Sequence, residues 1–247
     1  MERAVSLIWV ERCESTQDEL WAAPPDVTAI ATAEQSAGRG RRGRTWQSEP
    51  GQGLALSWRA PICGIELHQL PLLSLVAGLA VHRWVSGFAA PEHVEHVLLK
   101  WPNDLLFQRR KLAGVLCEGR LVTLNGETHQ QVVIGVGVNL LSAPSLTPTP
   151  AHLNELSVGE LSLTSIRVRL GELITELERG VAALRNKPDQ LLDDWRAASL
   201  PAGTPLRAGM KRGLYSGINE RGALLLDIDG GLCTVETGEV HVLSHLS

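Results

Sequence analysis

Three short stretches concentrate the side chains that could do chemistry. The first is Gly38-Arg39-Gly40-Arg41-Arg42-Gly43-Arg44, with Trp46 just beyond it. Glycine lets a backbone fold over a ligand, and arginine offers planar forks that grip phosphate or carboxylate oxygens in pairs. The run fits GxGxxG literally, but a dinucleotide-binding turn must open a helix. Here Arg44-Thr45-Trp46-Gln47-Ser48-Glu49-Pro50-Gly51 follows, which is turn-rich, so that reading fails. A mobile ligand-covering loop is favoured over a solvated basic loop, because the glycines are regularly spaced and Trp46 offers an apolar face.

The second stretch, Lys100-Trp101-Pro102-Asn103-Asp104, closes a predicted strand. Polar residues just past the C-terminal end of a strand sit where α/β sheets place ligands, although Asn-Asp at a strand end is also ordinary turn chemistry. The third begins at Lys111-Leu112-Ala113-Gly114. A glycine inside a strand implies close approach of something to the backbone, and Lys111 is either a functional cation or an edge gatekeeper. In Ile134-Gly135-Val136-Gly137-Val138-Asn139 the alternating glycines leave a flat strip for a flat ligand or a packed helix. His93 and His96, and His241 and His245, lack a third partner and read as solvated rather than metal-binding. No GxSxG, HExxH or GxxxxGK[ST] run occurs.

A fold must bring these stretches together. Thr28–Glu34, Leu54–Trp58, Val97–Trp101, Leu112–Glu118 and Val132–Leu140 read as strands. Leu70–Trp84 is apolar nearly all round, which predicts a buried helix. In Ile166–Leu184 the apolar residues recur every 3.6 positions, predicting one helix with Thr164 as its N-cap. Pro188 opens another over Asp189–Ala198, at the position where proline is tolerated. Ser142–Pro150 reads as an exposed loop. After Leu200 the chain turns to short β runs with glycine-containing turns, among them a hairpin turn at Asp229-Gly230-Gly231. The expectation is a ligand-binding body over residues 1–200 and a small β unit over 201–247, too short to be stable without docking.

The whole chain bounds these readings. Its 247 residues are 44% hydrophobic and 20% charged, which excludes a disordered or fibrous chain. A net charge of −4 argues against a dedicated nucleic-acid binder. The longest apolar stretch, Leu70–Val81, is far short of the ~20 residues that span a bilayer. The start, MERAVSLIWVERCES, has no secretory pattern. Cys13, Cys63, Cys117 and Cys233 are widely scattered, so reduced thiols and a cytoplasmic location are expected.

Taken together, the segments resemble the biotin–protein ligase family over nearly the whole chain. The matches run in family order: Ser15-Thr16, the GRGRRGR-x-W loop at Gly38–Trp46, KWPND at Lys100–Asp104, KLAG at Lys111–Gly114, and G-x-G-x-N at Gly135–Asn139. GINERGALLLDIDGG then looks like the family's small C-terminal domain. The resemblance implies an α+β fold, a class II synthetase-like mixed sheet with helices, followed by an SH3-like β-barrel. It implies that biotin and ATP, with Mg²⁺ carried by the nucleotide, give biotinyl-5′-AMP. The biotinyl group then passes to a lysine of biotin carboxyl carrier protein. By the same resemblance Ser15 and Thr16 bind the ureido ring, with Gln17 beside them where the family often has asparagine. Gln35, Gly38, Arg39, Gly40 and Arg41 line the biotin and adenylate pocket, and Trp46 and Gly114 pack on the ligand. Lys111 holds carboxyl or phosphate oxygens, and Lys100 adds positive charge. Asn103 or Asp104 lies near the magnesium ion, and Asp104 takes the proton of the acceptor amine or orients it. Larger members carry an N-terminal helix-turn-helix, for which Ser15 leaves no room. A ligase without a DNA-binding domain is therefore expected, with a second copy of the chain as a partner.

The chemistry explains why such residues suit the reaction. A carboxylate must meet a phosphate, and two like charges ~4 Å apart repel by about 4 kcal/mol at an effective dielectric of 20. The site must supply positive charge that counts most in the transition state. Two alternatives compete. One is a lipoate or octanoate ligase or transferase of the same fold, for which Cys117 is the candidate nucleophile. The other is a non-catalytic biotin or nucleotide sensor.

Overall fold

The structure is a computed structural model that describes residues 6–124 and 126–245. The first five residues of the start read above lie outside them. The elements in chain order are strand β1 (Leu7–Trp9), helix α1 (Thr16–Ala22), β2 (Ala29–Thr32), β3 (Gly53–Ala60), α2 (Leu73–Ser86), α3 (Pro91–Val94), β4 (Val97–Lys100), β5 (Asp104–Phe107), β6 (Arg110–Leu124) and β7 (Glu127–Asn139). Helices α4 (Leu163–Val168), α5 (Leu170–Asn186) and α6 (Pro188–Ala197) follow. The chain finishes with strands β8 (Pro205–Ala208), β9 (Lys211–Ile218), β10 (Leu224–Ile228), β11 (Gly231–Val235) and β12 (Val240–Val242).

Strands β1 to β7 form one sheet in the order β1-β2-β3-β7-β6-β5-β4. It is mixed, because β1 runs parallel to β2 while the other pairs are antiparallel. Period-two alternation along β7 sends Ile134, Val136 and Val138 into the main core with α2 and α5. Val133 faces the other side, where it packs with Ile30 and with Leu20 of α1. Gly135 and Gly137 share that second face, so the glycine strip lies on the α1 side of the sheet. Helix α2 is apolar nearly all round because it is covered by the sheet on one side and by α5 on the other.

Three sequence expectations are corrected here. Ile166–Leu184 is not one helix: it breaks at Arg169 (φ −95°, ψ 5°), whose carbonyl accepts the Trp84 indole N–H at 3.0 Å. The N-cap is Ser162, not Thr164, and its hydroxyl accepts from the Ser165 backbone N–H. The predicted strand at Leu112–Glu118 is the middle of the fifteen-residue β6, which with β7 forms a long ribbon. Pro188 does open α6.

The C-terminal strands form a five-stranded antiparallel sheet in the order β11-β10-β9-β8-β12. Among the described residues β11 and β12 do not pair, so the expected barrel is an open sheet. The β12 carbonyl of Val240 is instead taken by Lys100 at 3.0 Å. Asp229 and Gly230 both have positive φ in the two-residue turn joining β10 to β11, the geometry that matches strand twist. Its apolar residues, including Leu206, Tyr215, Leu224 and Leu226, continue the main core. Polar contacts reinforce the docking: Trp101 Nε1 donates to the Gly222 carbonyl at 2.9 Å, Arg196 Nε donates to the Ile218 carbonyl at 3.0 Å, and the Ser199 and Tyr215 hydroxyls lie 2.8 Å apart.

Candidate active site

The floor of the site is the glycine strip. A methyl group added at Gly137 would lie 2.5 Å from the Trp46 indole, and one at Gly114 would lie 3.2 Å from it. The strip is therefore covered in two parts: Gln17 of α1 lies over Gly135, where an added methyl would be 3.0 Å from its amide oxygen, and Trp46 lies over Gly137 and Gly114. The indole of the arginine-rich loop is seated flat against two adjacent strands, which only glycine at these positions permits.

The loop folds back on itself to bring Trp46 there. Trp46 N–H donates to the Gly38 carbonyl at 2.8 Å, and Gly40 N–H donates to the Arg44 carbonyl at 2.7 Å. Arg42 and Gly43 take positive φ at its tip. Gly38 is required by contact, since an added methyl would lie 2.5 Å from the Trp46 carbonyl oxygen.

One end of the floor is polar and buried. Ser15 precedes α1, and Thr16 and Gln17 begin it; all three are at most 3% exposed. Thr16 N–H donates to Gln35 Oε1 at 2.8 Å, and the Thr16 and Ser57 hydroxyls are 2.8 Å apart. Ser57 donates to Gln17 Oε1 at 2.8 Å, and Gln17 Nε2 donates to the Leu116 carbonyl at 3.4 Å. Ser15 occupies the cap position of α1, yet its hydroxyl makes no capping bond, and it is buried with no partner. A buried hydroxyl left unpaired carries a desolvation cost, which a ligand hydrogen bond would relieve.

The other end is cationic. Lys100 ends β4 and pairs in register with Asp104, which opens β5, while Asp104 pairs on its other side with Gly114 of β6. Trp101–Pro102, between Lys100 and Asp104, is a cis peptide. Lys100 Nζ and Lys111 Nζ each lie 2.7 Å from a different oxygen of the Asp104 carboxylate. Burial works to raise the pKa of that carboxyl, but the attraction of the two lysines outweighs it and holds the group below its ordinary range. Lys111 Nζ also stands 5.5 Å from the Trp46 ring centre, within reach of a cation–π attraction. Arg41 Nη1 donates to Asn103 Oδ1 at 3.0 Å, and Asn103 Nδ2 donates to the Val115 carbonyl at 2.8 Å. Burial lowers the Arg41 pKa, against the pull of Asp104, but a guanidinium stays charged at neutral pH. Three cations around one carboxylate leave an excess of positive charge beside the floor.

Most of the residues singled out in the sequence thus line one pocket between floor and loop, with Ser15, Thr16, Gln17 and Gln35 at one end and Lys100, Asn103, Asp104 and Lys111 at the other; Gly38, expected to line it, instead packs within the loop against Trp46. Arg39 lines it too, but its guanidinium is engaged by Asp18 and Glu118. Asn139, at the end of β7, does not line the pocket; it donates to the Ala151 carbonyl at 2.9 Å. Sequence reasoning missed Ser57, whose one signal was a hydroxyl in the apolar strand LALSW. It also missed Glu239 and Val240, which line the pocket from the C-terminal sheet. Cys117 is no activated nucleophile: burial pushes its thiol up to about 12. Among the described residues no group of three or more His, Cys, Asp or Glu could hold a metal ion, and no helix is long and apolar enough to cross a membrane.

Comparison with known proteins agrees with this geometry. The profile of the biotin/lipoate A/B protein ligase family matches residues 9–139. The biotin–[acetyl-CoA-carboxylase] ligase of Mycobacterium tuberculosis is 34% identical over 221 residues, covering 87% of this chain and 79% of that one. The enzyme of the same name from Paracoccus denitrificans is 31% identical, covering 93% and 97%. Among solved structures, the biotin protein ligase from Aquifex aeolicus in complex with biotin and ATP superposes with a TM-score of 0.75 at 25% identity, covering 96% and 99%.

Proposed function

The chain belongs to the biotin/lipoate A/B protein ligase family, and we propose that it is an ATP-dependent biotin–protein ligase. It joins the carboxylate of biotin to the α-phosphate of ATP, releasing pyrophosphate, and then passes the biotinyl group from the mixed anhydride to a lysine amine, releasing AMP. The observation that carries this reading is the pairing, at opposite ends of one glycine floor, of a buried polar cradle with an unpaired Ser15 hydroxyl and a triad of cations around Asp104.

Each end suits one part of the substrate. Ser15, Thr16 and Gln17, braced by Ser57 and Gln35, offer hydroxyl and amide groups to the ureido ring. The Trp46 indole and the strip at Gly114 and Gly137 suit an aliphatic tail, which would end beside Lys111. Lys111, Lys100 and Arg41 screen the carboxylate from the phosphate, and their attraction grows as charge gathers on the bridging oxygens. The covering loop keeps water from the adenylate. An acceptor lysine, with a reference pKa near 10.4, must lose its proton before attack. Both Asp104 oxygens hold lysines and its pKa is lowered, so Asp104 is a poor proton acceptor. Its role here is to orient the two lysines.

The Asn103 oxygen is engaged by Arg41 and the Asp104 oxygens by lysines. The expected magnesium position beside them is therefore unsupported, and Mg²⁺ enters as part of the MgATP substrate. The acceptor is a carrier domain of the acetyl-CoA carboxylase kind, as the relatives' names suggest. Reliance on ATP fits a cytoplasmic site of action. The division into a ligand-binding body over 1–200 and a docked C-terminal unit fits the two sheets. For a second copy of the chain, the surface that fits is the β6 edge beyond Gly114, which pairs with β5 no further.

Incubating the protein with labelled biotin, MgATP and a purified carrier domain should label one lysine of the carrier, with no label when ATP is withheld. Labelling by lipoate in preference to biotin would overturn the substrate assignment.

A further inference from the structure

Three consecutive residues of the C-terminal sheet reach three cations of the site. They lie at the junction of the β11–β12 turn with β12. The Glu239 carboxylate pairs with Arg44 Nη1 at 2.6 Å, the Val240 carbonyl accepts from Lys100 Nζ at 3.0 Å, and the Gly238 carbonyl lies 3.5 Å from Arg41 Nη1. Arg41 and Arg44 belong to the loop that covers the floor, whereas Lys100 belongs to the floor itself. The turn therefore bridges the loop and the floor of the pocket from outside. Glu239 supplies the one side-chain contact among the three, and Arg44 draws its carboxyl below its ordinary range, against burial.

We infer that Glu239 is a positioning residue that clasps the arginine loop closed over the floor through Arg44, so that the C-terminal sheet completes the ligand pocket. Arg44 shows no other carboxylate partner among the described residues. Without Glu239 the loop keeps its Trp46 anchor but loses the side-chain tie at its outer limb. The purpose of the clasp, retaining substrate and adenylate, rests on the ligase reading. The tie itself does not.

Limited trypsin digestion reads the loop directly, because Arg42 is exposed at its tip. Both partners of the pair are partly exposed, so the effect is modest. Glu239→Gln and Arg44→Gln should each speed cleavage within the loop about two- to five-fold, and the double variant should be no faster than either. The charge-swapped pair Arg44→Glu with Glu239→Arg should return the rate toward the parent's, which also shows that the variants fold. Asp229→Asn, which removes a charge from the turn joining β10 to β11, should cleave at the parent's rate. In the enzyme, Glu239→Gln should raise the KM for biotin by a similar factor and leave kcat within two-fold. Cleavage of Glu239→Gln at the parent's rate, or single effects that multiply in the double variant, would overturn the clasp. Faster cleavage in a protein that forms no biotinyl-AMP would uphold the clasp and sink the ligase reading instead.

Discussion

The floor and the loop hold their cations in opposite ways. On the floor, Lys100 and Asp104 are 16% and 12% exposed and sit on adjacent paired strands. On the loop, Arg44 is 58% exposed and pairs with a residue nearly two hundred positions away. A buried pair on a sheet is fixed and costly to break, whereas an exposed pair is weak and easily exchanged. The same contrast suits the two jobs. Charge that must meet the reacting oxygens is held rigidly, and charge that must let substrate in and product out is held loosely.

Variants can break or sharpen that contrast. The largest effect is expected at Asp104. Asp104→Ala leaves two lysines without their carboxylate and should cost about 3 kcal/mol in urea unfolding, the low end for stripping a buried pair because Lys111 is partly exposed. Asp104 has a lowered folded-state pKa. Its stabilisation is therefore complete above the unfolded carboxylate pKa of about 4 and is lost as the pH falls through the lower folded value. Asp104→Asn should flatten that acid-side loss, and an unchanged pH profile would contradict the pairing.

Lys111→Ala should follow, slowing formation of biotinyl-AMP by about 10²- to 10³-fold, as loss of one transition-state charge contact does. Single-turnover accumulation of the adenylate checks this. Next is Gly137→Ala, whose methyl would collide with the Trp46 indole. Overpacking of this kind costs about 1–3 kcal/mol, so calorimetric titration should show biotin binding weakened about tenfold or more. Smallest is the contrast within the loop. Arg41→Ala should speed adenylate release about tenfold, as loss of a charged hydrogen bond does. Arg39→Ala, whose partners are Asp18 and Glu118, should change release by no more than about two- to five-fold. Equal effects of the two would mean that the loop has no inward-facing arginine.

Much of the site was legible because its residues lie in dense local runs. KWPND and the arginine run carry their chemistry in sequence, and the alternating glycines of β7 announced a surface that something must approach. What covers that surface was not legible, because it depends on a loop fold that seats Trp46 some ninety residues away from Gly137. Glu239 was invisible for a related reason, since a lone glutamate in a glycine turn gains meaning only from the docking of the C-terminal sheet. The long arm of the β6–β7 ribbon was missed because the sequence over 119–131 is mostly polar, and its few apolar residues, Leu121, Val122 and Leu124, do not keep a period of two. The break at Arg169 was missed because the apolar stripe continues through it, and the cause lies in the Trp84 indole on another helix.

The central claim is that this pocket activates biotin as an adenylate. Biotin-dependent exchange of labelled pyrophosphate into ATP tests it most directly, because it reports the first step without any carrier protein. The expected result is exchange that requires biotin, is not supported by lipoate or octanoate, and collapses in Lys111→Ala. Exchange driven by lipoate, or no exchange in folded protein with biotin and MgATP present, would contradict it.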